Sequence, residues 1–450
     1  MRALVIGLAE TGLAVTRVLT AEGAHVTVVE DTPGASSAYA ARAEQARAAG
    51  AALVEAPGAE AVGALASGVD LVVPSPLVRP SHPALVAAAR AGVAVRSEID
   101  LAAERARMPI IAVTGTNGKT TVTTMTAAML DASGVAAGAA GNIGRPLIEA
   151  VGDDVAVVVA EVSSFQLEFT PTFRPRVAVL LAVTPDHLDW HGSFGAYVDA
   201  KARVVAHQAG DDLLVYDADD DIARKIAADA PARTVGVTVR SAVAGMFHVA
   251  HDTLTLADGR ELAPVDTMRR AFRHDQTNAL AAAAAALEVG ATLDGVRATL
   301  RNYATMPHRV ALVGEAIGVR WYDDSKATNP DATLRAVASF DSVVLLAGGR
   351  NKGLDLGVLR TAVPRLRGVV AFGEAAPQVA AAFASTPTPV VEAGEMHAAV
   401  RAAAAMAQPG DVVLLSPACA SFDAYSGYAA RGDDFAAEVR TLTSEERSPR

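Results

Sequence analysis

Cysteine is almost missing. The chain holds one, Cys419, which cannot close an internal disulfide, so a disulfide-stapled scaffold is excluded and a reducing, cytoplasmic setting is expected. Also missing is any uncharged apolar run near the ~20 residues needed to cross a bilayer. No membrane insertion is expected. The N-terminal stretch MRALVIGLAE places Glu10 inside its apolar run and offers no cleavage site, so it reads as a buried strand rather than a signal peptide. Excess positive charge is lacking too: 39 Lys and Arg stand against 50 Asp and Glu, a formal net charge of −11. A general nucleic-acid or acidic-membrane binder needs clustered Lys and Arg, so no nucleic-acid partner is expected, while local anion sites remain open. The chain shows neither a short-period repeat nor a low-complexity linker.

What is present is length and apolar content. The 450 residues are 51% hydrophobic and 20% charged, enough for roughly two to four cored domains. Short β-branched runs alternate with Ala-rich helical stretches, the pattern of α/β domains with largely parallel sheets. Residues 1–98 form a first Rossmann-like block, with strands in ALVIG, HVTVVE and DLVVP and a helix in HPALVAAARAG closed by Gly92. Residues 99–304 form a larger, P-loop ATPase-like block. It opens with strand IIAVT, a glycine loop and helix KTTVTTMTAAMLDASG, and ends in helices QTNALAAAAAALEVG and LDGVRATLRNY. Residues 305–450 form a third, Rossmann-like block, with strands GVRWYDD, SVVLLAGG, GVVAFG and DVVLLSP and a last helix after Arg431. The tail TSEERSPR is polar and expected to fray.

The glycine loop carries the first chemistry. Gly115, Thr116, Asn117, Gly118, Lys119, Thr120 and Thr121 fall two residues short of the common G-x-x-x-x-G-K-[ST] spacing, since Val113 stands where that pattern needs glycine. A phosphate loop does not demand one spacing. It needs a strand end, small residues whose N–H groups face oxygen, and a following helix N-terminus. All three are here, with Lys119 for β- and γ-phosphates and the Thr120 hydroxyl for Mg²⁺. The ordinary alternative is a tight βα turn with an exposed lysine. The N-terminal GLAETG is weaker, because Ala9 replaces the second glycine of a dinucleotide fingerprint.

Further polar groups fall at strand ends. Glu161 closes strand VVVAE, where a carboxylate can hold a cation or simply be solvated. TPDHLDWHG puts His187, Asp189 and His191 on one loop after strand VAVLLAV. Three βα loops follow: Asp324, Lys326, Thr328 and Asn329; then Lys352 after a glycine pair; then Ser416 and Ser421 in SPACASFD. Together they read as a binding face.

The motifs TGTNGKTT, EVSSFQLE, VTPDHLDWHG, MPHR, DDSKATNP, GGRNKG and SPACASFD occur in this order along nearly the whole chain. Together they resemble the Mur ligases, and among these the branch that adds D-glutamate. The resemblance implies a cytoplasmic, ADP-forming ligase of peptidoglycan precursor synthesis, using ATP and Mg²⁺. UDP-N-acetylmuramoyl-L-alanine and D-glutamate are the implied substrates and a monomer the implied state. A substrate carboxylate would attack the γ-phosphate, and the amine would then displace phosphate from the acyl phosphate. By position, Lys119 and Thr120 would hold phosphates and one Mg²⁺, with Glu161 as its carboxylate. His187 would bind a second Mg²⁺ near the acyl phosphate, and Lys201 matches a lysine that is carbamylated in the family. Asn142 and Ser163 would contact the muramoyl substrate, and Thr32 its uridine end. Asn278, Arg309 and Asp324 would contact ATP. Lys326, Thr328, Lys352, Ser421, Phe422 and Tyr428 match positions around the amino acid.

The chain departs from the family pattern at Asp275, where the adenine motif has Asn, at Pro33 near the uracil, and at Leu77 in place of a glycine after Ser75-Pro76. The phosphate loop is shared with folylpolyglutamate synthases, so another amino-acid-adding Mur ligase or a folate-extending ligase is the nearest alternative. A P-loop kinase or ATPase leaves the flanking blocks unexplained. Ala9 disfavours an NAD-dependent dehydrogenase. A non-catalytic regulator would not need Lys119, Glu161, His187 and Lys201 together.

Overall fold

A computed structural model describes residues 1–304 and 306–447. Three sheets are built from successive chain segments. The first joins β1 (Arg2–Ile6), β2 (His25–Glu30), β3 (Ala52–Glu55), β4 (Leu71–Pro74) and β5 (Ala94–Val95) in the order β3-β2-β1-β4-β5, all parallel. The second contains β6 (Ile110–Thr114), β7 (Ala137–Gly141), β8 (Val157–Glu161), β9 (Val177–Leu180), β10 (Leu213–Asp217), β11 (Arg233–Thr238), β12 (Phe247–Ala250), β13 (Thr253–Thr255) and β14 (Glu261–Pro264). Its order is β14-β13-β12-β11-β10-β9-β6-β8-β7. The third contains β15 (Ala311–Ala316), β16 (Val319–Asp323), β17 (Val343–Gly348), β18 (Leu366–Phe372), β19 (Val390–Ala393) and β20 (Val412–Ala418), ordered β15-β16-β20-β17-β18-β19.

The central strands are apolar on both faces because helices cover both. All five residues of β6 are buried, as are all of β8 and β9. Helix Arg273–Glu288, an alanine run, is buried from Asn278 through Ala286 and packs with Met129, Val179 and Leu254 in one core. The segment 213–264, left blank by periodicity, forms the far half of the second sheet. Its outer pairs β12–β13 and β13–β14 are antiparallel, and the β12–β13 turn carries positive φ at His251 and Asp252 (47° and 54°), the type I′ signature of a tight hairpin.

By contacts the chain divides into two compact units. One holds residues 1–183, 195–271 and 275–303; the other holds 184–194, 272–274 and 304–450. The last helix differs from expectation. It starts at Tyr428, not after Arg431, and continues to Arg447, so most of the polar tail is helical. The buried Arg431 side chain anchors its first turn from within. Ser448 to Arg450 lie outside the described residues, as does Thr305, where the third block was expected to begin. Among the described residues no helix is long and apolar enough to cross a membrane.

Candidate active site

In the first unit the glycine loop leaves the end of β6, where the strand order turns between β9 and β6; ligand crevices of open α/β sheets form at such points. The loop is pinned to the neighbouring strand by Leu181 N–H to Thr114 O (2.9 Å) and Thr116 N–H to Ala182 O (2.8 Å). Two positions demand glycine. A Cβ on Gly115 (φ 144°) would sit 2.6 Å from the Leu181 Cβ, and one on Gly118 (φ 85°) 2.6 Å from Asn278 Oδ1. Gly118 is the left-handed N-cap of helix Lys119–Asp131, so the short loop still delivers a helix N-terminus. Asn278 thereby lies against the loop.

Lys119 folds back, its Nζ donating to Gly115 O (3.0 Å) and Thr116 O (2.9 Å). Lys201 is buried rather than solvated, 1% exposed. Its Nζ donates to the same Gly115 O at 2.7 Å and stands 4.7 Å over the Tyr197 ring, while Tyr197 shares a hydroxyl hydrogen bond with Thr116 (3.0 Å). Thr120 and Thr121 are buried beside them.

Glu161 ends β8 in register with Val113 of β6. It is buried, its Oε1 accepts Asn142 Nδ2–H at 2.9 Å, and its Oε2 has no protein partner. Ser163 caps the short helix Ser164–Leu167 reciprocally with Gln166. So Gly115–Thr121, Asn142, Glu161, Ser163, Lys201 and Asn278 gather at the carboxyl edge of one sheet. Thr32 belongs to the first sheet instead: it is exposed after β2 and donates its N–H to Glu30 Oε1 (3.2 Å). Asp275, in place of Asn, is buried and paired with Arg270 through two bonds of 2.7 and 2.5 Å. The substitution arrives with its own counter-charge.

In the second unit, three βα loops meet at the ends of β16, β20 and β17. Asp324 accepts Ser416 Oγ–H (2.8 Å) and the Val310 N–H (3.3 Å). Lys326 donates to the Tyr428 hydroxyl (3.3 Å) and lies 4.8 Å over its ring. Thr328 is half-buried and Ser421 buried, whereas Phe422 is 65% exposed. Arg309 is the neighbour of His308, whose Nδ1 pairs with Asp323 at 2.6 Å.

His187 takes left-handed backbone (φ 53°) at the start of helix Leu188–His191. Of the other two polar groups on that loop, Asp189 is exposed and His191 packs edge-on against Trp190. Among the described residues no group of three or more His, Cys, Asp or Glu is arranged to hold a metal.

Two residues here were not singled out from sequence. Asp186 accepts Lys352 Nζ (2.6 Å), Asn329 Nδ2 (3.1 Å) and the His187 N–H (2.9 Å). Burial alone would raise its carboxyl, but Lys352 and His187 outweigh burial and hold it below the usual range. Arg431 is fully buried, and burial lowers its guanidinium to about 10. It donates to Ser325 O (2.8 Å), Ser325 Oγ (2.9 Å), Cys419 O and Ala420 O (3.2 Å each), clamping the D-D-S-K and P-A-C-A-S loops together. An arginine preceded by Ala429 and Ala430 in a helix was the available hint. Cys419 itself is buried, which pushes its thiol up to about 12, so it is no nucleophile.

The Mur ligase middle domain matches residues 113–286, and the Mur ligase glutamate ligase domain residues 308–419. UDP-N-acetylmuramoylalanine–D-glutamate ligase of Geobacter metallireducens is 41% identical over 449 residues, covering 99% of this chain and 98% of that one. The protein of that name from Thermobifida fusca is 41% identical over 466 residues, covering 98% of each. Among solved structures, MurF ligase from Thermotoga maritima, in complex with ADP, shares the fold with a TM-score of 0.59 at 18% identity. It covers 84% of this chain and 95% of that one. With two domain models over most of its length and full-length relatives at this identity, the chain belongs to the Mur ligase family.

Proposed function

We propose that this chain joins the carboxyl group of UDP-N-acetylmuramoyl-L-alanine to the amine of D-glutamate, driven by ATP. The observation that carries this reading is 41% identity across 99% of the chain to a protein named for that reaction. The proposed division is a nucleotide-sugar domain (1–98), an ATP domain (99–304) and an amino-acid domain (305–450).

Phosphoryl transfer asks for alignment and charge neutralisation more than covalent help. Gly115 to Thr121 would cradle the ATP phosphates, with Lys119 turning from its loop carbonyls onto the transferring group. Asn278, Arg309 and Asp324 would hold the rest of the nucleotide. Asn142 and Ser163 would orient the muramoyl carboxylate for attack, and Thr32 would meet the uridine end. Lys326, Thr328, Lys352, Ser421, Phe422 and Tyr428 would receive D-glutamate, whose two carboxylates need fixed cations and N–H donors.

The residues fit Mg²⁺. Glu161 leaves one buried carboxylate oxygen without a protein partner, and Thr120 supplies a hydroxyl, a donor set of hard oxygens. Thr120 and Glu161 would hold one ion, and His187 with Lys201 a second. Bound there, Mg²⁺ would neutralise phosphate charge. Lys201 would serve as a carbamate, formed when its neutral amine adds CO₂ and releases a proton. The ammonium is the unreactive form, so it is the free amine that would add CO₂. Together with a cytoplasmic monomer, this completes the reading.

The test is phosphate release with UDP-N-acetylmuramoyl-L-alanine, ATP and Mg²⁺, scored for dependence on the amino acid. D-glutamate should support it. Equal rates with L-glutamate, or with a diamino acid, would overturn the assignment.

A further inference from the structure

Ser163 is engaged on its inner side. Its N–H donates to Gln166 Oε1 (3.0 Å), its Oγ–H donates to the same Oε1 (2.9 Å), and its Oγ accepts the Gln166 N–H (3.2 Å). A peptide N–H can only donate, so the Gln166 carboxamide must turn its oxygen toward Ser163 and its NH₂ away. Helix Ser164–Leu167, which carries Gln166, packs against helix Glu98–Arg105, whose first turn holds Glu98, 1% exposed. Glu98 Oε1 accepts the Ile148 N–H at 2.6 Å. The Gln166 side chain also adjoins the carboxylate and favours its charged form, although Glu98 Oε2 makes no bond of strict hydrogen-bond geometry. A carboxylate attracts the NH₂ end of the amide and repels its oxygen. The polarity therefore runs one way from Glu98 through Gln166 to Ser163.

We propose that Gln166, and Glu98 behind it, are positioning residues for the muramoyl substrate: they commit the Ser163 hydroxyl hydrogen inward, so that Ser163 meets the substrate as a hydrogen-bond acceptor. This rests on the reading of Ser163 as a substrate contact. With its hydrogen given to Gln166 and one lone pair taken by the Gln166 N–H, Ser163 Oγ has a single lone pair left. The matching substrate group is a donor, an amide N–H or a sugar hydroxyl. Glu98→Gln is nearly isosteric yet breaks the chain. Its carbonyl keeps the Ile148 N–H, but its NH₂ then faces the NH₂ of Gln166. If Gln166 flips to relieve this, its NH₂ meets the Ser163 N–H. Neither orientation satisfies all donors.

The experiment measures affinity for UDP-N-acetylmuramoyl-L-alanine by calorimetry, alongside the KM for ATP. S163A and E98Q should each weaken muramoyl-substrate binding about tenfold, the loss of roughly one hydrogen bond, with the ATP KM unchanged. The transposed double variant E98Q/Q166E should bind within about threefold of the parent. The amide introduced at position 98 then donates to the carboxylate introduced at position 166, which accepts from Ser163, restoring the polarity at the same net charge. Should E98Q fold poorly, Q166L reads the same link from its middle and should show the tenfold loss. If S163A weakens binding while E98Q does not, or if E98Q/Q166E is no better than E98Q, the positioning chain is wrong. If S163A binds like the parent, the substrate-contact reading itself fails, and this inference with it.

Discussion

In the first unit three charged groups meet backbone dipoles: Lys119 and Lys201 both donate to Gly115 O, and Glu98 accepts a peptide N–H. In the second unit they meet opposite charge: Lys352 donates to Asp186 at 2.6 Å and His308 faces Asp323 at 2.6 Å. Two of the buried acids, Glu98 and Asp186, show what the difference does. Burial pushes both upward. For Asp186, Lys352 and His187 reverse the direction. For Glu98, the Ile148 N–H, the Gln166 amide and the Leu147 N–H oppose burial but do not reverse it, and its carboxyl stands at about 7. A unit charge at about 4 Å is worth about 4 kcal/mol at an effective dielectric near 20, more than one peptide dipole. Dipole-held groups are cheap to turn toward a ligand, whereas charge-held groups are built into the fold.

The largest contrast should come from lysines. Lys119→Ala should cut turnover at least ~10³-fold by removing charge from the transferring phosphoryl group, while its melting temperature barely moves. Turnover near the parental rate would mean the short loop is no phosphate site. Lys201→Ala should be nearly inactive as well, and formate or acetate in the buffer should restore part of the activity by occupying the carbamate's place. A bare amine at Lys201, in a well-ordered crystal with Mg²⁺ and nucleotide bound, would falsify the carbamate. Lys352→Ala should behave otherwise. It strands the buried Asp186 carboxylate, costing about 3–5 kcal/mol of stability, and raises the KM for D-glutamate far more than that for ATP. The double variant D186N/K352A should regain most of the stability but not the D-glutamate affinity. If Lys119→Ala destabilises as much as Lys352→Ala, the distinction between dipole-held and charge-held groups collapses.

How far these placements were legible depended on their range. The β6–loop–helix unit announced itself because strand, glycines and helix lie within about twenty consecutive residues, and one-dimensional pattern carries local geometry well. Lys201 looked like a surface helix lysine, because its burial comes from Gly115, 86 positions earlier. Asp186 stood one residue from the chosen His187, yet its partner Lys352 is 166 positions away. Arg431 and Glu98 carried no motif: each is defined by the loops it holds, and pairings between loops leave no periodic trace. The β12–β14 hairpins were blank for a different reason, since three- and four-residue strands are too short for alternation to register.

The smallest effect isolates the dipole-held acid. The folded-state carboxyl of Glu98 lies at about 7 against an ordinary 4.5, so between those values the folded chain keeps a proton that the unfolded chain has released. Stability from this group is therefore full below about 4.5 and lost as pH rises toward 7, by on the order of 3 kcal/mol. The groups that face it are the Ile148 and Leu147 N–H, the Gln166 amide and the Glu149 carboxylate, of which only Glu149 raises it. Denaturant unfolding at pH 5 and pH 8 reads the difference directly. E98Q should lose less stability than the parent across that interval, because an uncharged amide has no proton to release. E149Q should fall between them, since removing a like charge lowers the Glu98 carboxyl and narrows the window. Parallel losses for parent and E98Q would place Glu98 near its ordinary value, and the peptide dipoles would then have offset its burial as fully as Lys352 offsets that of Asp186.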